Sequence, residues 1–404
     1  MAGKAALFLV VGFSLIFLAI GKNFGSLSTS AVDNLTDYYT ETVAHDIAVT
    51  GANMAANKIF FDPTWTAGYN NLSYQNGILN VDVSVLDAFK NIRQITSTGS
   101  FNGVTNTVSV TLQPSKFSKF AYYSISEGGT IWWITGDTVW GPFHTQDYLR
   151  VSGSPVFWGK ATTKKKLIKY NSSAKPYFYG GFEKGVDLPL PLDGLTPIEN
   201  AADADGYKFT SKDTVYLTFA VDSLKIKYAW NGATTTVLAS SFAPNGVIFA
   251  KNSVLRLQGI VKGQYSVVAS GSSGKGRIYL DDNIVYNTDP RVDPTSEDML
   301  GIIAKNEILI TKNEVNNDDI NIHASIYSES KGFGAEYYDT RPVSGNINLL
   351  GGIVQNTRQA VGTFSGSTIN HGFSKRYRYD DRLMFSSPPM YPGTGAFEIV
   401  SWLE

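Results

Sequence analysis

The chain has 404 residues, a length that suits two or three folded units rather than one small domain. Its 34 Lys and Arg stand against 35 Asp and Glu, so no bulk field draws it to nucleic acid or to an anionic membrane surface. Aromatic residues at 13%, charged residues at 17% and 38 glycines argue against disorder and for a turn-rich β-protein, and the absence of cysteine excludes disulfides, thiol nucleophiles and cysteine-held metals.

The N-terminal stretch from Ala5 to Ile20 carries no charge and is bracketed by Lys4 and Lys22. As a signal peptide it has only the small residues Ala19 and Gly21 near its end, and as a simple anchor it is short of the roughly 20 apolar residues that span a bilayer. No proline occurs from Met1 to Asp62, and apolar residues continue at helical spacing through Val32, Leu35, Tyr39, Val43, Ile47 and Met54. The spacing predicts one helix over residues 1–60 that ends before Pro63, membrane-anchoring at first and amphipathic afterwards. Leu7, Phe8, Val11, Phe13, Leu15, Phe17, Leu18, Phe24 and Leu27 are its large apolar side chains and the candidates for packing against other helices. Asp33, Asp37 and Glu41 recur at four-residue intervals and form an acidic row, either a solvated face or one met by a cation from outside the helix.

Residues 61–125 read as a small sheet: Leu79 to Leu86 alternates apolar and polar, Asn106 to Leu112 does so again, and Asn102-Gly103 falls between strands. From residue 126 to 404 the texture changes to brief apolar strands separated by glycine or small polar turns. Examples are Val139 to Phe143, Pro155 to Trp158, Val254 to Leu257, Ile278 to Leu280, Ile308 to Ile310 and Ile347 to Ile353. Short strands of that kind predict a parallel β-solenoid head, so that the fold class is α+β. The interval 182–246, with Pro189, Pro191 and Pro197 and an Asn231-Gly232 hairpin turn, reads as an insertion on its side.

The long helix followed by a β-rich head resembles the type IV pilin class. Tyr38 to Ile59 (YYTETVAHDIAVTGANMAANKI) resembles the region after the membrane segment in PilX-like pilus-assembly proteins, and Ile95 to Leu112 (ITSTGSFNGVTNTVSVTL) the strand, turn and strand of a pilin sheet. GGIVQNTRQAVGTF, HGFSKRYRYDDRL and FEIVSW in the C-terminal part are similar to a bacterial family of uncharacterised surface proteins that join a PilX-like start to a β-helical body. If Met1 is the mature start, the position of the pilin's acidic residue is held by Ala5. The resemblance implies a structural subunit of an extracellular filament, anchored in the inner membrane before assembly, handled by pilus-assembly machinery and partnered chiefly by copies of itself.

Catalytic patterns are sparse, and no enzyme activity or cofactor is expected. His45, His144, His323 and His371 lie far apart, and neither HExxH nor GxSxG occurs. Asp281-Asp282 reads as a turn, and Asp203 with Asp205 lacks the glutamate that a calcium loop requires, since Lys212 stands there. Lys164, Lys165 and Lys166 form the one basic run, and the charged stretch from His371 to Arg382 reads as a salt-bridged cap. The alternative reading is an anchored surface protein that binds or cleaves glycans and never polymerises.

Overall fold

The computed structural model describes residues 2–129, 131–190, 194–272, 274–365 and 368–404, which leaves Met1 and Pro191 outside the described residues. The chain forms two compact units: 1–114 with 396–404, and 115–395. As expected, a long N-terminal helix precedes a strand-rich body in an α+β arrangement.

In the first unit, helix α1 spans Ala2–Phe61 without a break. Its second half is amphipathic because alanines and isoleucines recur on one side: Ala44, Ile47, Ala48, Ala52, Ala55 and Ile59 are fully buried. They rest on an antiparallel meander of Tyr69–Tyr74, Gly77–Asp87, Ile92–Phe101 and Val104–Lys116, whose inward residues Leu79, Val81, Ile95, Val108 and Val110 complete the core. The approach is close. A Cβ on Gly51 would collide with Leu79 Cδ1 and Ser97 Oγ, and one on Gly99 with the carbonyl oxygen of Ala44. Asn102 and Gly103 both have positive φ, 46° and 86°, which makes the two-residue turn between Phe101 and Val104 that the Asn-Gly pair predicts.

The far edge of this sheet corrects the expected boundaries. Gly393–Leu403 lies beside Val104–Lys116, and its Phe397 and Trp402 pack on the helix-sheet core. Residues 396–404 therefore belong with the helix rather than with a head over 126–404, because those aromatic side chains find their apolar cover there.

The second unit is built from parallel strands stacked in ladders. One interior row runs Ile248, Val267, Ile302, Ile326, Ile353, Tyr122, Phe143, Ala161 and Phe182, each beside the next. A second row runs Ile322, Leu349, Tyr377, Val139, Phe157 and Phe178. A third runs Val215, Leu255, Ile278, Ile308 and Phe333. Burying one apolar side chain per strand beneath its neighbour is what lets three-residue strands persist.

The spatial order is not the chain order. The chain enters in mid-stack at Tyr122–Ser126, climbs to one end at Phe182–Lys184, and re-enters at the opposite end with Tyr207–Phe209. It then returns strand by strand until Val343–Thr357 pairs in parallel with Tyr122–Ser126. This corrects the reading of 182–246 as a side insertion. Tyr207–Phe209 and Thr214–Val221 are rungs of the stack, paired with Val247–Ala250 and Val254–Val261, and only Ser223–Lys227 and Thr235–Leu238 fold out as an antiparallel meander.

The proline-rich interval is instead the crossing between the two ends. Leu190, Leu195 and helix α2, Thr196–Asp205, lie over a row of outward apolar residues, Phe249, Val268, Ile303, Tyr327, Val354 and Tyr123, and give it a core of its own. Pro197 sits in the first turn of α2, where its missing N–H costs no helical bond.

Candidate functional site

The N-terminal half of α1 has no partner among the described residues. The described candidate packing residues are all exposed, from 48% at Val11 to 75% at Phe8. α1 is long and apolar enough to cross a membrane, with a mean hydropathy of 2.3 in its most apolar window. At 1.5 Å per residue about 20 residues cover the hydrocarbon of a bilayer. A span from Ala5 would end near Phe24, which leaves Leu27, Val32, Leu35 and Tyr38 exposed on the helix before its first buried residue, Thr40. Gly12, Gly21 and Gly25 have open space where a Cβ would stand, in contrast to Gly51 and Gly99, so nothing among the described residues requires their small size. Asp33, Asp37 and Glu41 are exposed.

A second site lies in mid-stack, at the join where Val343–Thr357 meets Tyr122–Ser126. There the interior turns polar. Lys375 follows Ile320 and Ile347 along an inward row, and Gln355 stands beside Ser124 in another. Lys375 Nζ donates to Asp137 Oδ2 at 2.7 Å, and Arg358 Nη1 to Glu127 Oε2 at 2.9 Å. All four side chains are nearly or fully buried, and both cations lie over the ring of Trp133. Glu127 also accepts hydrogen bonds from Tyr122, Ser124 and Trp133 Nε1, so its two oxygens are saturated. Burial is the main cause that lowers the pKa of Lys375, with the nearby Arg358 charge acting the same way and Asp137 opposing both.

Two walls of the stack continue across this join, through Ile353 beside Tyr122 and through Tyr377 beside Val139. The third does not. Among the described residues its ladder stops at Phe333–Ala335, and parallel pairing resumes at Trp133 beside Val151. The gap is a cavity of about 760 Å³ whose lining includes Trp132, Tyr170, Gln359, Thr363, Arg358 and Lys375.

The other sequence candidates are dispersed. His45 faces Glu404 at 3.6 Å, and His371 Nδ1 lies 2.9 Å from the Arg341 carbonyl. His144 is wholly buried with Nδ1 2.7 Å from Thr162 Oγ1, and burial lowers its pKa to about 4. His323 lines a separate cleft of about 620 Å³ with Asp282, Asp289 and Arg291; its Nδ1 accepts the N–H of Tyr286, and burial likewise lowers its pKa to about 4.

Asp281 is not simply a turn residue: it holds Arg256 through two hydrogen bonds and accepts another from Thr311. Asp203 is engaged by Lys208 at 2.6 Å, and among the described residues no group of three His, Asp or Glu is placed to hold a metal. Lys164 and Lys165 pair with Asp187 and Asp147. The His371 to Arg382 stretch is not a cap, because Thr368–Arg378 lies between Val343–Thr357 and Thr138–Trp140 inside the stack. Glu127, Asp137 and Arg358 carried no signal in the sequence, since nothing local marks residues that meet only when distant strands pair.

No family model matches the chain, and no curated protein matches it. Among solved structures, the competence-associated pilin ComZ from Thermus thermophilus is similar to it with a TM-score of 0.37 and 12% identity, over 90% of this chain and 97% of that one. A likeness so distant establishes neither fold nor activity, and it does not reach the PilX-like resemblance of Tyr38 to Ile59.

Proposed function

We propose that the protein is a pilin-like subunit of an extracellular filament. Its α1 holds it in the membrane before assembly and packs against copies of itself afterwards, and the parallel stack is carried on the filament's outside. The reading assigns no reaction and no cofactor; its partners are the membrane, further copies and an assembly machinery at the cell surface.

The observation that carries the proposal is the apolar length of α1 beyond one bilayer. Lipid covers about 20 residues, whereas Leu27, Val32, Leu35 and Tyr38 are exposed past that span. Each side chain removed from water contributes roughly 1.5–3 kcal/mol, and parallel copies staggered along one another cover the whole stretch. The glycines with open surroundings support close approach between such helices.

The test is negative-stain microscopy of surface filaments sheared from cells that produce the chain, followed by mass spectrometry of their subunits. The chain as the repeating component is the expected result. Its recovery only as a detergent-soluble membrane protein, with no filament, would favour the anchored surface protein instead.

A further inference from the structure

Two cationic side chains line the cavity at the interrupted wall, and neither spends all its donors on the carboxylate beside it. Glu127 is saturated by Tyr122, Ser124, Trp133 and Arg358, and Asp137 Oδ2 takes both Lys375 and the N–H of Ile134. Arg358, whose side chain is 4% exposed, keeps Nη2 without a hydrogen-bond partner among the described residues. Lys375 spends one of its three N–H donors on Asp137. A buried guanidinium nitrogen left unmatched is costly, and a ligand that brings acceptors removes the cost.

The walls around these donors are of two kinds. Trp132 and Tyr170 meet edge to face at 5.3 Å at the rim, offering flat apolar surface, while Gln359, Thr363 and Ser152 add neutral hydrogen-bonding groups. At about 760 Å³ the space falls within the range of small-ligand sites.

We propose that this cavity binds an acidic sugar, its carboxylate taken by Arg358 and Lys375, its ring laid on Trp132 and Tyr170, and its hydroxyls met by Gln359 and Thr363. Surplus cationic donors select the carboxylate, aromatic faces select a flat ring with C–H groups, and neutral polar side chains select hydroxyls. The site is a property of the second unit and does not depend on whether α1 polymerises.

The test is calorimetric titration of the full chain, held in lauryldimethylamine oxide micelles so that no detergent sugar competes, with glucuronate as the probe and glucose and acetate as controls. Glucuronate is expected to bind at least about tenfold more tightly than either control. Trp132→Ala is expected to weaken it by about tenfold or more while leaving the unfolding midpoint in place, because Trp132 sits at the rim. Arg358→Lys keeps the charge opposite Glu127 but removes the free guanidinium nitrogen, and a similar loss is expected. No glucuronate binding at millimolar concentration, glucose binding of equal strength, or an affinity unmoved by Trp132→Ala overturns the proposal. Should Arg358→Lys fail to fold, the Trp132 variant still decides.

Discussion

Arg358 Nη1 and Glu127 Oε2 are 2.9 Å apart although 231 positions separate the two residues in the chain. Their meeting marks the join at which the returning strands close on those laid down first. Around it the stack gives up apolar packing for paired charges, which in general bring little net stability but a large penalty when one partner is missing.

Glu127→Gln should therefore destabilise the protein by about 3–5 kcal/mol, because it leaves Arg358 buried without its counter-charge. The double variant Glu127→Gln with Arg358→Met should recover much of that loss. Chemical denaturation of the four species in a double-mutant cycle measures the coupling, and strictly additive losses would show that the two charges act independently.

The glycines of α1 and of the sheet beneath it divide into two classes with opposite expected responses. Gly51→Ala and Gly99→Ala force a methyl group against the facing chain and should cost about 1–3 kcal/mol by denaturation. Gly21→Ala has open surroundings and should stabilise the helix by up to about 1 kcal/mol in micelles, read as a rise in helical circular dichroism. If Gly21→Ala also disrupts filaments, the small residue serves contacts between chains.

Phe13→Ala addresses assembly. It removes an exposed ring from α1 yet leaves an insertable apolar stretch, so subunit abundance in the membrane fraction should stay unchanged while filament number and shear resistance fall. Filaments of wild-type number and strength, with normal insertion, would count against a packed helical core.

Acid should weaken the fold through its buried imidazoles. His144 and His323 both have pKa values lowered to about 4 by burial, against 6.5 in the unfolded chain. Between those values the unfolded state binds a proton that the folded state refuses, so stability falls as pH drops from about 6.5 to 4 and levels off below. By pH 5 each histidine accounts for about 2 kcal/mol of the loss. His144→Gln and His323→Asn should each flatten the dependence of the urea midpoint on pH between 7 and 5; an unchanged slope in both would mean that other groups govern it.

The local elements were open to reading from residues alone. α1 shows in an uninterrupted apolar spacing that stops before Pro63, and the hairpin at Asn102-Gly103 shows in turn chemistry, because both depend on neighbours within a few positions. The order of the stack was not legible. Short runs such as Ile302 to Ala304 or Ile347 to Ile353 are alike in composition, and any of them satisfies a parallel neighbour, so nothing in the residues says that Val343–Thr357 must lie beside Tyr122–Ser126. The misplaced insertion at 182–246 has the same origin: its prolines mark a departure from regular strands, but not that the departure bridges two ends of one body. The cavity followed suit, since its charged residues come together only through that pairing.

The entry of the chain in mid-stack also bears on how the molecule is made. Tyr122–Ser126 is complete long before Val343–Thr357 leaves the ribosome, and the sheet under α1 waits longer still, for the final strand Gly393–Leu403. Until then both carry an open strand edge, the kind of surface that captures foreign strands. A chain that stops before Val343 lacks the closing piece of both units at once. The late strands Val343–Thr357 and Gly393–Leu403 thus cover edges that the early strands leave open.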